Sequence, residues 1–565
     1  MKRIQYLALA ALFVLAAACH KDDITVVDDS TSGGGVDIND VDDIDTNYDR
    51  TVEIVFSTSS SATVSGVGDS LEVTLDGNDV TISNLGTEKV LYRLSGSTTD
   101  GFLKIYSGRK QTIALNGVSI KNTRGAAINV QGYKTTPAKG KRVDLVLNGS
   151  NTLADGSTYS LTPSTEDEKA ALFSEGQIVV SGSGSLTVTA TGKAGITSDD
   201  YVAFLDGCNV SVTSSAGHGV RGKDYILVSG GTIDVSVSAN GKKGFSSDSL
   251  VRFDGGVTTI SVTGSTVVES GDTNRVAGIK ADQLFQMNDG TLTVTSSGTG
   301  GKGISGDADG YFTGGTVTVT VTGSNYGSSS GGGHGPGGWG GNSSNSVGAK
   351  GIKFDGNLYF AGSVVTVSAS KHEGIESKGT IDITAGQVFS TSSDDAINSA
   401  STMTISGGYV CAYSTGNDGL DANGNCYIDG GVVYAIGSSS PEVGIDANTE
   451  GGYKLYIRGG TLIAIGGLES GAQISQTCYC YQASSWSKNV WYSMTVGDNT
   501  YAFKTPSSGG TKLVVSGSSQ PTLKSGVTVS GGTTILNGMM TLSPTVSGGS
   551  NVSLSSYSSG GGGWW

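Results

Sequence analysis

A short phrase, glycine followed by a large apolar residue and then a polar stretch, returns along this chain. It stands at Gly195-Ile196, Gly219-Val220, Gly244-Phe245, Gly278-Ile279, Gly303-Ile304, Gly351-Ile352, Gly374-Ile375, Ala396-Ile397, Gly419-Leu420 and Gly444-Ile445. The steps between them are 24, 25, 34, 25, 48, 23, 22, 23 and 25 residues. A fixed period of this size constrains the fold strongly, because each unit is too small to bury its apolar face alone and does so against its neighbours. A second phrase alternates with the first, as in Ile226-Leu227-Val228-Ser229-Gly230-Gly231-Thr232-Ile233-Asp234-Val235 and Leu455-Tyr456-Ile457-Arg458-Gly459-Gly460-Thr461-Leu462-Ile463. One unit therefore holds three short strands: one after the Gly-Ile phrase and one on each side of the Gly-Gly turn. The 90 glycines, about twice the usual share of roughly 7%, punctuate runs of Val, Thr, Ser and Ile, which are strand formers. No segment shows a 3.6-residue apolar period over helix length, so the strands of successive units are expected to stack in parallel without helical crossovers. The expected fold is all-β, a right-handed single-stranded parallel β-helix, that is, a solenoid of three sheets.

The organisation along the chain follows from the same pattern. Residues 1–18, with Lys2, Arg3 and an apolar run, read as a signal peptide. Ala16-Ala17-Ala18-Cys19 resembles the acylation site of bacterial lipoproteins, with Cys19 as the lipidated residue. The following Lys21-Asp22-Asp23 resembles a signal for the outer face of an outer membrane. The chain is thus expected to be a surface-exposed outer-membrane lipoprotein. Residues 19–50 are crowded with aspartate and read as a solvated tether. Residues 51–165 read as an N-terminal cap with irregular first turns, and 166–475 as the regular repeat domain. A Gly-rich loop at 323–348 accounts for the step of 48, and 476–565 read as a C-terminal cap with short strands. Beyond Cys19, an odd and sparse set of cysteines remains, which is not a disulfide framework.

A formal net charge of −15 disfavours nucleic acid, whose phosphates need Lys and Arg, and favours cations. The acids sit at fixed places in the repeat. Glu373, Asp395 and Asp418 precede the glycine position, and Glu376, Asn398, Asp421 and Asp446 follow the apolar residue. Asp282, Asp307 and Asn423 stand two places further on. Stacking brings like charges about 5 Å apart at a cost of about 1 kcal/mol per pair in water and several times that near a protein surface. In the middle repeats Lys243, Lys280, Lys302, Lys350 and Lys353 offset it, whereas from 373 to 448 the only nearby base is Lys378. Converging hard oxygen donors of this kind suit Ca²⁺; solvated surface acids are the alternative.

Ser198-Asp199-Asp200 followed by Gly217-His218-Gly219 is similar to the paired aspartates and Gly-His-Gly of polygalacturonases. Asp199, Asp200 and His218 are therefore weak catalytic candidates for acid/base work on a glycosidic bond, although the repeat alone accounts for their positions. Tyr427 and Tyr456 share one place in adjacent units and are expected to offer a sugar platform, with Trp339 on the Gly-rich loop as a further aromatic.

The phrases Ala277-Gly278-Ile279-Lys280-Ala281-Asp282, Lys302-Gly303-Ile304-Ser305-Gly306-Asp307 and Asp418-Gly419-Leu420-Asp421-Ala422-Asn423, alternating with Gly-Gly-Thr strands over roughly 52–475, resemble the bacterial carbohydrate-binding β-solenoid family. The resemblance implies a pectate-lyase-like fold that binds Ca²⁺ through repeat aspartates and holds acidic or neutral plant polysaccharide without cleaving it. Its acidic positions fall on Asp282, Asp307, Asp418 and Asp421, with Lys223 and Lys378 standing where Asp or Asn is expected. The expected partner is polygalacturonate or a cellulose-like glycan, bound by a monomer that meets the membrane only through its lipid. A uronate-directed lyase or hydrolase, and an adhesive rod for protein partners, remain open as other readings.

Overall fold

The chain divides into two compact units, Met1–Asp43 and Ile44–Trp565. The computed structural model describes residue 41 and residues 44–84, 86–132, 142–160, 162–163, 165–327 and 346–559. Every described strand belongs to the second unit. The signal peptide, Cys19, Trp339 and most of the 323–348 loop lie outside the described residues.

Strand formation follows from alternation. In Thr316–Val321 the sequence TVTVTV sends Val317, Val319 and Val321 inward to full burial and the threonines outward. The same strand pairs in parallel with Thr291-to-Ser296 on one side and Val364-to-Ala369 on the other, residue for residue, so each inward valine meets another apolar side chain. The interior carries a file of aromatic rings. Phe204 stacks on Phe245 and Phe245 on Phe253, and the file continues through Phe285 and Phe312 to Phe360.

The pairing corrects the expected architecture. The strands do not form a right-handed single-stranded β-helix of three separate sheets, a plain solenoid. They join into one 29-stranded sheet and one 14-stranded sheet, with a two-stranded and a six-stranded sheet beside them. Within the largest, pairing runs from Val90–Thr98 through Gln111–Asn116, Arg142–Asn148, Gln177–Ser181, Tyr201–Phe204 and Tyr225–Val228 to Leu250–Val262. It returns through Thr232–Val237, Asn209–Ser214, Ser185–Ala190, Ser150–Ala154 and Ser119–Lys121 to Val90–Thr98. That is a closed ring of twelve strands, parallel at every step, a barrel by its hydrogen bonding with further strands attached. The physical cause lies at the corners. Leu250–Val262 runs through Asp254-Gly255-Gly256 without losing its ladder, absorbing the bend as register shifts against its neighbour.

The glycine of the repeated phrase is required by close approach. A Cβ on Gly278 would collide with Val294 Cγ1 and stand 2.8 Å from the carbonyl oxygen of Gly303 in the next repeat. In the Gly-Gly turn the second residue takes a left-handed conformation, as at Gly431 with φ +71°.

Toward the C-terminus the alternation changes. Val432–Ile436 is buried on both faces, whereas Thr232–Val237 buries one. The six-stranded antiparallel sheet, which includes Trp491–Val496, Asn499–Lys504 and Thr522–Ser530, packs over it. Phe389, Cys411, Tyr434 and Ile463 form a second core with Tyr492, Met494 and Phe503. Cys411 thus lies in that second core and Cys426 in the main one, both buried and free. No helix among the described residues is long and apolar enough to cross a membrane.

Candidate functional site

Parallel register builds columns out of residues that are some two dozen places apart. One column follows the inward apolar residue: Thr197, Arg221, Ser246, Lys280, Ser305, Lys353, Glu376, Asn398 and Asp421. The Leu420–Ile445 and Ile445–Leu468 bridges carry it toward Asp446 and Glu469. A second column precedes the glycine. There the repeat glycine or alanine donates its N–H to the carbonyls of His218, Lys243, Lys350, Glu373, Asp395 and Asp418 in turn, and Lys302 follows Lys243 in register by way of Ala277. Both columns are basic through Lys353 and acidic from Glu373 onward, so the sign reverses at one level.

Lys350 stands at that level. Its ammonium lies 3.2 Å from Glu373 and 2.5 Å from Glu376. Glu376 is 1% exposed. Burial alone would raise its pKa, but Lys350 on one side and Lys378 on the other hold the carboxyl below its usual range.

Next to it is a group that the repeat positions did not single out. His372 Nδ1 faces Glu373 and lies 3.0 Å from Asp394 Oδ2, and these three side chains converge closely enough to hold a metal ion. Burial works against charge on His372, yet the hydrogen bonds to Asp394 and Glu373 win and raise its pKa to about 9. His372 correspondingly holds Asp394 low, and Asn417 donates to Asp394 at 2.9 Å. With the imidazole protonated the trio carries one carboxylate charge in excess, and Lys350 beside Glu373 offsets it. The signal for it in the sequence is the residue two places before the glycine, His372, Asp394 and Asn417 in successive repeats.

Beyond it, four carboxylates lack such relief. Asp395 is pushed up to about 8 by burial and by repulsion from Asp421 and Asp394, and Asp418 to about 7 by burial, Glu442 and Asp421. Asp421 rises to about 6 through burial, Asp394 and Glu373. Asp446 also rises, through burial, a hydrogen bond with Glu469 and repulsion from Asp418. Asp395 Oδ1 accepts the Asp418 N–H at 3.1 Å, and Asp418 Oδ1 accepts the Val443 N–H at 2.5 Å. Asn398 Nδ2 donates to Asp395 Oδ2 at 3.0 Å and to Asp421 Oδ2 at 3.2 Å. Among the described residues no ion pair reaches Asp395, Asp418, Asp421 or Asp446. A half-turn of the Asn398 amide would point its oxygen at the same two carboxylates and leave an all-oxygen donor set, of the kind hard cations take.

Other sequence candidates fall elsewhere. Asn423 is exposed on the turn and donates to the Ser399 carbonyl. Asp282 and Asp307 lie on the basic side, both paired with Lys280. Asp199 is held by Lys169 at 2.6 and 2.8 Å. Asp200 is raised to about 6 by burial and Asp224. His218 Nδ1 accepts the Lys243 N–H at 3.0 Å, and burial together with Lys243 and Arg221 lowers its pKa to about 3, leaving it a neutral backbone acceptor. Among the described residues no hydrogen bond or ion pair joins Asp199 to His218. Tyr427 and Tyr456 are in register and stacked, with ring centroids 5.0 Å apart and an interplanar angle of 16°. The Arg458 guanidinium lies 4.3 Å from the Tyr427 centroid, so that pair offers edges and hydroxyls more than open faces. Tyr311 and Tyr359 form a like pair earlier in the same column, with Asp382 and Thr404 between the two pairs.

A family model described as carbohydrate-binding domain-containing protein matches residues 76–396, more than half of the chain. A curated relative of the same description, from Acetivibrio thermocellus, is 30% identical over 130 residues. That alignment takes in 22% of this chain and 43% of the relative, so the chain spans less than half the length of the curated relative it matches. A solved structure, that of the polysaccharide lyase-like protein from C. thermocellum as a gadolinium derivative, aligns at 22% identity with a TM-score of 0.36, over 45% of this chain and 94% of that one.

Proposed function

Since this chain belongs to the carbohydrate-binding domain-containing protein family, we propose that it is a non-catalytic binder of acidic or neutral plant-type polysaccharide, with Ca²⁺ held at the acidic end of its columns. The observation that carries the Ca²⁺ half of the reading is the set Asp395, Asp418, Asp421 and Asp446, crowded, mostly buried and without an ion-pair partner among the described residues. These four, with Asn398, would hold the ion. A bound Ca²⁺ supplies charge neutralisation and coordination positions that sugar hydroxyls or uronate carboxylates can fill. The acids keep one another near a shared negative site, and the backbone N–H groups of Asp418 and Val443 fix two of them in place. The reading also takes Cys19 as a lipid anchor at the cell surface.

Retention of the whole chain on polygalacturonate and on cellulose, with and without a calcium chelator, tests the proposal. Binding to either glycan is expected, with the acidic glycan weakened by chelation and by the Asp395→Asn and Asp418→Asn pair. Failure to bind any glycan overturns the reading. Release of unsaturated uronide products would replace it with a lyase. Fatty-acid labelling that survives Cys19→Ala would remove the anchor.

A further inference from the structure

Of the cations on the basic half of the columns, Arg221, Lys280, Lys350 and Lys353 each meet a carboxylate, and among the described residues the others do not. Lys280 pairs with Asp282 and Asp307, and Lys353 with Asp355. Lys243, Lys302 and Arg275 have no ion pair among the described residues. Lys243 turns its ammonium only to the Gly241 carbonyl, at 3.2 Å. Lys302 is 8% exposed, and no hydrogen bond of its ammonium is found among the described residues. Burial, with Arg275, Lys353 and Lys350 close by, lowers its pKa to about 7, and burial with Lys242 and Lys280 lowers Lys243 to about 8.

These groups line a single cavity of about 180 Å³, together with Ser305, Asp307 and Asp355. A buried ammonium without a counter-ion is costly unless it loses its proton or gains an anion. The fold keeps five cationic side chains, Lys243, Arg275, Lys280, Lys302 and Lys353, around the same open volume. Water accounts for some of that space, at about 30 Å³ per molecule, but water cancels no charge. A planar or tetrahedral oxyanion does, and it is small enough to enter while the rest of a polymer lies along the face.

We infer that the cavity between Lys243, Lys302 and Lys353 is an oxyanion subsite that seats a carboxylate or sulfate group carried on an acidic polysaccharide, separate from the acidic end where a cation is proposed. This rests on the carbohydrate-binding reading for the polymer, not for the anion. The subsite gives the chain two ways of holding an acidic glycan. One is direct and needs no metal; the other runs through a cation.

The test uses the whole chain in excess chelator, which leaves only the direct route. Affinities are measured for polygalacturonate, for dextran sulfate, for a neutral cello-oligosaccharide and for inorganic sulfate. Lys302→Gln and Lys243→Gln remove a cation each, and Lys302→Arg keeps one; thermal unfolding checks that each variant is folded. The expected result is a loss of tenfold or more for the acidic probes in each Gln variant, partial recovery in Lys302→Arg, and no change for the neutral sugar. Preference between the two acidic polymers tells carboxylate from sulfate ester. Unchanged acidic binding in both folded Gln variants overturns the inference. A protein that binds inorganic sulfate through Lys302 but no glycan sustains the subsite and sinks the function proposed above. One that holds neutral glycan but neither acidic glycan nor sulfate sinks the subsite and leaves that function standing.

Discussion

Asn398 links Asp395 and Asp421 through one amide nitrogen, and these carboxylates carry a pH signature. Between about pH 4, where an aspartate in an unfolded chain ionises, and about pH 8, where Asp395 does, the folded protein holds the extra proton. Stability therefore falls as pH rises through that window. His372 acts in the same sense, its contribution full below 6.5 and lost as pH passes about 9. Asp394, held low, acts the other way and loses its contribution only in acid. In chelator, Asp395→Asn is expected to raise the melting temperature at pH 8 and to leave it nearly unchanged at pH 4; added Ca²⁺ should stabilise the parent and not the variant. A melting temperature that drops at pH 8 would contradict this. Lys350→Ala should cost about 1–3 kcal/mol by leaving buried carboxylates short of a partner, less than a fully broken buried pair because Lys378 still reaches Glu376; urea titration reads it. The columns of acids were legible from the sequence, because period alone fixes which residues share a level. The His372–Asp394 contact was not, since it lies two places before the glycine, where earlier repeats carry Gly301 and Ala349 and show no chemistry.

At the scale of strands, the repeated glycine makes a sharp demand. Gly278→Ala forces a methyl against Val294 and the Gly303 carbonyl, and is expected to cost about 1–3 kcal/mol. The urea midpoint should fall with an unchanged slope, while the same change at exposed Gly77, whose φ of +61° meets open space, should cost only about 1–2 kcal/mol from its left-handed backbone. Strand positions could be read from alternation, but their joining into a closed ring could not. Ser229-Gly230-Gly231 breaks the ladder between Tyr225–Val228 and Thr232–Val237, whereas Asp254-Gly255-Gly256 lets it pass. The two corners have nearly the same sequence. What differs is whether the bend is taken as a break or as shifts in register against the neighbour, and that depends on the next repeat rather than on the turn itself.

Over the whole second unit, the C-terminal sheet is a cover as much as an end. It buries Phe389, Cys411, Tyr434 and Ile463, outward side chains that earlier repeats fill with Thr, Ser and Asp. A chain ending at residue 475 is expected to expose that apolar face and to self-associate, which sedimentation and dye binding would show. A soluble monomer with unchanged melting would mean the cover is dispensable. The loss of alternation in Val432–Ile436 was the legible trace of this, while which segment does the covering was not, since the packing joins residues far apart in sequence.

The reversal of sign between Lys353 and Glu373 has a consequence for a long ligand. Along the two columns, though not over the body as a whole, charge is cationic up to Lys353 and anionic from Glu373, so a polymer lying along them passes from one local field into the opposite one. An anionic segment drawn to the lysines of the first stretch is repelled by the carboxylates of the second, so contact along the columns has a sense of direction.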